Sequence, residues 1–236
     1  MYWLRCSLAL VAEHLALEEA LWHWALQGAV DQGVLWVWEP TEEVVVVGRS
    51  SQVAQEVHLS ACQQEGVPVL RRCTGGGAVV LGPGCLVYCL VVPLGDGLGP
   101  TGVHAQVLTP LAEHLRKHFP QVRQEGISDL AYQGRKFSGN SVRLGRKWCL
   151  YHGTLLYRFA VHRVGELLPH PPREPHYRQG RSHEAFLTNL PSSREQLEQI
   201  LRRAWGADQE LRQWPLRQMT QLYRQRYANP RWHFQR

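Results

Sequence analysis

Apolar residues recur along this chain in two rhythms, and each rhythm predicts elements. Met1 to Ala12 reads as a strand leading into a helix. From His14 to Gln27, Leu17, Leu21, Trp24 and Ala25 recur at helical spacing, which predicts a helix with one buried face. Gly28 and Gly33 bracket a turn. Val34 to Trp38 and Val44 to Val47 are β-prone runs separated by Glu39-Pro40-Thr41-Glu42-Glu43. A polar loop, Gly48 to Gln52, precedes a short helix from Glu56 to Glu65 that Gly66 would cap. Further strands are predicted at Gly66–Leu70, just after Gly77, and at Leu86–Val92. Pro93 to Gly102 reads as a loop. Val103 to His118 is helical, with Val107, Leu108, Leu111 and Leu115 turned inward. Gln133-Gly134-Arg135 reads as a hairpin turn between short strands, and Trp148 to Tyr157 as another strand. Leu168 to Gly180 is a basic, proline-rich loop, and helices are predicted at Ser193–Trp205 and Leu216–Tyr227. Strands in both halves, alternating with few helices, predict one α+β domain with a mixed sheet over residues 1–236.

Composition narrows the class. The 236 residues are 44% hydrophobic, enough for one sizeable core. No apolar run approaches the ~20 residues that a membrane-spanning helix needs. The six cysteines form no Cys-x-x-Cys pair, and the histidines complete no zinc pattern, so a reduced, cytoplasmic setting is expected and no metal ligands are assigned. The net charge is +6, and nine arginines against four acidic residues after Pro191 supply most of it. Such a tail suits nucleic acid, an acidic protein, or a solvated helix. No nucleic-acid-binding signature accompanies it.

Two stretches carry candidate chemistry. In Arg71-Arg72-Cys73-Thr74-Gly75-Gly76-Gly77, three glycines allow positive φ and close backbone approach to a ligand. Successive N–H groups there can converge on an anion, and two guanidiniums add forked donors. The same stretch also reads as a glycine hairpin with surface arginines. Lys136 is one of only three lysines, at 117, 136 and 147, and sits beside Arg135 in a glycine-bounded hairpin. It is either an exposed turn lysine or a compact cation for a phosphate or oxyanion. His152, before Gly153 and Thr154, is either a satisfied half-buried histidine or a ligand contact.

The order of these stretches resembles the lipoate–protein ligase A family, within the biotin/lipoate ligase and octanoyltransferase superfamily. The resemblance rests on Leu15-Ala16-Leu17-Glu18-Glu19-Ala20-Leu21, Gly48-Arg49, Arg71-Arg72-x-Thr74-Gly75-Gly76-Gly77-Ala78-Val79, Asp129-Leu130, Gly134-Arg135-Lys136-x-Ser138-Gly139-x-Ser141 and His152-Gly153-Thr154-Leu155-Leu156. It implies a mixed sheet flanked by helices, as in class II tRNA synthetases and biotin ligases, forming a catalytic domain without a C-terminal accessory domain. It also implies that Arg72, Thr74, Gly75, Gly76 and Gly77 bind an acyl-adenylate. Lys136 would then be the catalytic lysine, with Ser138, Gly139 and His152 lining the pocket. ATP with Mg2+ and lipoate or octanoate are the implied substrates. Lipoyl domains of 2-oxoacid dehydrogenases or glycine cleavage H-type proteins are the implied acceptors, with a separate accessory subunit or an acyl carrier protein as further partners. Nucleic acid and membrane have no implied role.

The pattern departs from the family where Leu81-Gly82-Pro83-Gly84-Cys85 replaces the usual His-Asp-x-Gly-Asn. Cys85 is thereby a candidate acyl-carrying nucleophile. The two positions where related transferases carry their thiol, within Val122–Ser128 and Pro169–Pro172, hold no cysteine. The expected activity is therefore lipoate or octanoate ligation through an acyl-adenylate. The alternatives are an ATP-independent octanoyl or lipoyl transferase and a non-catalytic binder of lipoyl domains.

Overall fold

The computed structural model describes residues 1–95 and 97–235. The chain opens with β1 (Tyr2–Leu4), α1 (Val11–Leu26), β2 (Val34–Trp38) and β3 (Val44–Val47). Two short helices, α2 (Val53–Glu56) and α3 (Leu59–Gln64), lead to β4 (Val69–Arg71), β5 (Val79–Leu81) and β6 (Cys85–Pro93). Next come α4 (Pro100–Arg116), β7 (Val122–Glu125), β8 (Asp129–Tyr132), β9 (Arg135–Leu144) and β10 (Trp148–Leu156). The remainder is α5 (His162–Leu167), α6 (His183–Phe186), α7 (Arg194–Ala204), β11 (Gln209–Leu211), α8 (Leu216–Leu222) and α9 (Pro230–His233). Among the described residues no helix is long and apolar enough to cross a membrane.

The expected α+β architecture is present, but as two sheets rather than one. The larger runs β11-β1-β2-β6-β10-β9-β8-β7; β11, β1 and β2 are parallel, and the later pairs antiparallel. β3 is the centre of a small second sheet, parallel to β4 and antiparallel to β5. Its four valines are all buried, so both its faces are covered.

The centre of the large sheet is β6 and β10. Eight of the nine β6 residues are buried, which is why it reads as a continuous apolar run rather than an alternation. In β10 alternate side chains serve opposite faces. His152 points to α1, where its Nδ1 lies 2.7 Å from Glu18. Tyr151 points to α4, its hydroxyl 3.0 Å from His104 Nδ1.

Four local differences from the sequence pattern have physical causes. First, α1 is buried almost all round from His14 to Trp22 rather than along one face. Second, α4 starts inside the predicted loop, with Pro100 in the first turn, where its missing N–H costs nothing. Third, the helix predicted over Glu56–Glu65 is broken in two by extended Val57, and His58 N–H donates to Leu167 O at 2.9 Å. Fourth, α8 ends at Leu222 and continues as a wider π turn over Tyr223–Tyr227. The hairpin forms as predicted. Gln133 and Gly134 have φ of 53° and 74°, as a two-residue turn of the I′ type requires, although β9 beyond it is ten residues long.

Candidate active site

The glycine loop follows β4 and is held from behind. Neither arginine is on the surface. Arg71 is fully buried, its guanidinium donating to the carbonyls of Gly48 (2.7 Å), Ser51 (2.9 Å) and His233 (2.9 Å). Its backbone N–H donates to His233 Nδ1, and Trp232 Nε1 donates to its carbonyl. The end of the chain thus clamps the base of the loop. Arg72 turns its fork into the loop itself. It donates to Gly75 O (2.6 Å), Gly77 O (2.9 Å), Val46 O (3.0 Å) and Thr74 Oγ1 (3.1 Å). Burial pushes the Arg72 guanidinium down to about 10. Gly76 takes φ of 85°, and its carbonyl lies so near Gly48 that a Cβ there would sit 1.9 Å from the oxygen. The neighbouring loop can therefore approach only because residue 48 is glycine.

Behind this loop runs a buried polar chain. Glu18 accepts from His152 Nδ1–H, leaving Nε2 to accept from the Thr74 hydroxyl at 2.7 Å; Thr74 in turn accepts from Arg72 Nε. The other Glu18 oxygen accepts from Trp38 Nε1 at 3.2 Å. Every member is buried, so each needs the next as its hydrogen-bond partner.

Lys136 comes from the opposite wall. Its Nζ is 2.8 Å from Asp129 Oδ1, across the β8–β9 pairing, which has a bulge at Leu130/Ala131. Asp129 Oδ2 accepts from Tyr177 at 2.9 Å. The stem of Lys136 lies over Gly139, where a Cβ would come within 2.9 Å of Nζ. Gly153 has a similar role one strand over. The Tyr88–Asn140 hydrogen bond passes across it, and a Cβ would sit 1.7 Å from Asn140 Oδ1. Asn140 also holds Ser128 and Ser138, at 2.7 and 3.1 Å.

These walls enclose a cleft of about 710 Å3. Lys136, Ser138, Gly139, His152, Arg72, Gly76 and Gly77 line it, so residues far apart in the chain meet at one place. Its apolar side is made by Leu15, Trp38, Val46, Val80, Val87 and Leu156. The segment after α5 adds Leu168, Arg173, Arg178 and Leu187 to the lining, and Lys136 and Leu187 pair as an isolated bridge. Thr74 and Gly75 stand behind the lining. The Gly75 carbonyl accepts from Ser141 Oγ at 2.9 Å.

Cys85 lies elsewhere. It is fully buried at the start of β6, and burial pushes its thiol well above the ordinary range. Among the described residues all six cysteines are free, and none lines the cleft. Glu18, Trp38 and Ser141 touch the cleft or its polar chain and had no assigned role in the sequence. The signal for Glu18 was a pair of acids, Glu18-Glu19, inside an apolar helix. Trp38 gave none, because its contact crosses 20 residues.

Residues 11–203 match the model of the lipoyl protein ligase A/B catalytic domain, and the chain belongs to that family. Among curated relatives, a putative lipoate-protein ligase A of Aeropyrum pernix is 31% identical over 155 residues, 66% of this chain and 57% of that protein. Three solved structures share the fold. A bi-partite lipoate protein ligase from Thermoplasma acidophilum, analysed with its E2 lipoyl domain, superposes with a TM-score of 0.83 at 18% identity, covering 99% of this chain and 95% of that one. A putative lipoate protein ligase from the same organism with bound lipoic acid gives 0.82 at 17%, covering 100% and 99%. A lipoate-protein ligase A bound with ATP gives 0.84 at 18%, covering 99% and 98%.

Proposed function

We propose that this protein activates lipoate or octanoate with ATP and transfers the acyl group to a lysine of a lipoyl domain. The observation that carries the choice is the cleft's composition. A cation and a glycine loop face an apolar slot, and no thiol lines it among the described residues. A transferase that carries its acyl group on cysteine needs a thiol at that place, so the ATP-independent reading loses its support. One solved structure of the same fold has bound lipoic acid and another bound ATP, an apolar and a charged ligand that suit the apolar slot and the cation of this cleft.

In the first step the acyl carboxylate attacks the α-phosphorus of ATP, the bond to the β-phosphate breaks, and pyrophosphate leaves. Negative charge builds on the α-phosphate. Lys136 lines the cleft where this charge would develop, and a donor placed there is worth about 3–4 kcal/mol. Asp129 holds Lys136 in an ion pair until the ligand arrives. In the second step the target amine attacks the carbonyl carbon and AMP leaves, with Lys136 beside the developing oxyanion. Arg72 and the Glu18–His152–Thr74 chain keep the loop in shape for both steps. Magnesium enters as part of the nucleotide substrate, held by its phosphates. The described residues contain no cluster of three or more histidine, cysteine or acidic side chains placed to hold an ion. The free thiols fit work in the reducing cytoplasm.

The test follows the intact mass of an unmodified lipoyl domain. One tube holds the protein with lipoate or octanoate, ATP and magnesium; another holds octanoyl carrier protein without ATP. A mass gain only in the first is expected. A gain only in the second rejects the ligase. No gain in either, even after a cell extract is added to supply a second subunit, leaves a binder of lipoyl domains.

A further inference from the structure

Glu56 ends α2, and its carboxylate meets two loops at once. Its Oε2 accepts from the Ser51 hydroxyl at 2.9 Å and from the Ala78 N–H at 3.0 Å, and its Oε1 accepts from the Gln52 N–H at 3.3 Å. Ser51 Oγ in turn accepts from the Gly48 N–H at 3.2 Å and lies 3.3 Å from Gly76 O. One half-buried carboxylate thus joins the polar loop after β3 to the far limb of the glycine loop. Three donors converge on it, which suits a group with two oxygens and no N–H of its own. Bonds from backbone N–H to a carboxylate are also charge-assisted.

The rest of the glycine loop shows what this contact secures. The Gly75 and Gly77 carbonyls accept from Arg72, and Gly75 O also from Ser141. Among the described residues no acceptor meets the N–H groups of Gly76 and Gly77, and both residues line the cleft. The acceptor side of the loop is tied to the protein, and these two donors are left for a ligand. The near limb is anchored where the Arg49 N–H donates to Thr74 O at 2.8 Å. The far limb is anchored at Ala78 by Glu56. Glu56 also acts through its charge. Burial pulls the Arg72 guanidinium down, and Glu18 and Glu56 offset part of this.

We propose that Glu56 is a positioning residue for the ligation: its carboxylate anchors the glycine loop at Ala78 and keeps the Gly76 and Gly77 N–H groups in place for the anion of the acyl-adenylate. This deepens, and rests on, the ligase reading above. Glu56 is not among the residues that line the cleft, so it acts through the loop. Glutamine at this position keeps the length, but its NH2 must face one of the three donors. Alanine frees the Ala78 N–H and removes the charge beside Arg72.

The test compares the wild-type chain with Glu56→Gln and Glu56→Ala. Two ligands are titrated: octanoyl-AMP, which carries the anion, and octanoyl-adenosine, the same molecule without its phosphate. Acylation of a lipoyl domain from octanoate and ATP is followed by mass. Octanoyl-AMP is expected to bind Glu56→Ala about tenfold more weakly, while octanoyl-adenosine binds within about twofold of wild type. Turnover falls about tenfold or more, because a displaced loop misplaces the reacting anion. Glu56→Gln, which preserves the packing, lies between on both measures. A merely structural glutamate weakens both ligands alike, and that result overturns the inference. Unchanged octanoyl-AMP binding and turnover in both variants also overturn it, with the ligase reading intact. A wild-type chain that binds neither ligand and acylates nothing fails the ligase reading itself, and the inference falls with it.

Discussion

Glu19 offers a stability prediction whose size follows from the structure. Its carboxylate is 1% exposed and receives Arg226 (2.6 Å), Arg143 (2.8 Å) and the Tyr227 hydroxyl (2.8 Å). Burial works to raise this carboxyl, but the contacts of His23, Tyr227 and Arg226 outweigh it and hold it at about 2, against the ordinary 4.5. One pH unit is about 1.4 kcal/mol, so the displacement is worth about 3 kcal/mol. The folded state binds the proton less readily than the unfolded chain. The contribution is therefore complete above about pH 4.5 and is lost as pH falls towards about 2. Glu19→Gln removes it at every pH. The two arginines retain 22% and 35% exposure, so they rehydrate, and the cost stays near the low end of the ~3–5 kcal/mol for breaking a fully buried pair. Urea unfolding of both proteins from about pH 7 to about pH 3 checks this. The difference in unfolding free energy should shrink from about 3 to about 1.4 kcal/mol as Glu19 begins to protonate. A difference that stays constant across that range refutes the argument, since it would mean that Glu19 acts through shape and not charge.

Three further outcomes are expected. Lys136→Ala should lower acylation about 10²–10³-fold, read by lipoyl-domain mass, with its circular dichroism spectrum unchanged; undiminished activity removes the central assignment. Gly153→Ala should cost about 2–3 kcal/mol or more in thermal unfolding, because the new Cβ falls 1.7 Å from Asn140 Oδ1 in a packed sheet. Cys85→Ala should leave the acylation rate unchanged and cost about 1 kcal/mol of stability, since the thiol is buried away from the cleft; a loss of turnover without a loss of folding would restore it as a nucleophile.

Much of the site was legible because its pieces are local. The glycine run, the Lys136 hairpin and the His152 strand each announce themselves through backbone requirements that only certain residues meet. Positive φ at Gly76 and Gly134 is such a requirement. What each side chain does was not legible. Two adjacent arginines look like a pair of ligand-binding cations, yet Arg71 reaches the chain's end and Arg72 ties its own loop. The arginine-rich tail read equally as solvated helix or as a binding surface; Arg226 instead docks on Glu19 and His233 under Arg71. Such pairings span 161 to 207 residues and leave no periodic trace.

Taken alone, then, the chain's pattern determined the α+β class, the main helices, the central strands and the positions where a backbone must approach closely. These depend on interactions within a turn or between residues one or two pitches apart. The tertiary structure decided the split into two sheets and the burial of α1 on all sides. It also decided that Glu18 faces His152 while Glu19 faces the C-terminal segment, although the two are neighbours. Consecutive helical residues point about 100° apart, so one sequence position separates a carboxylate of the cleft from a carboxylate of the scaffold. Only the packed chain says which is which.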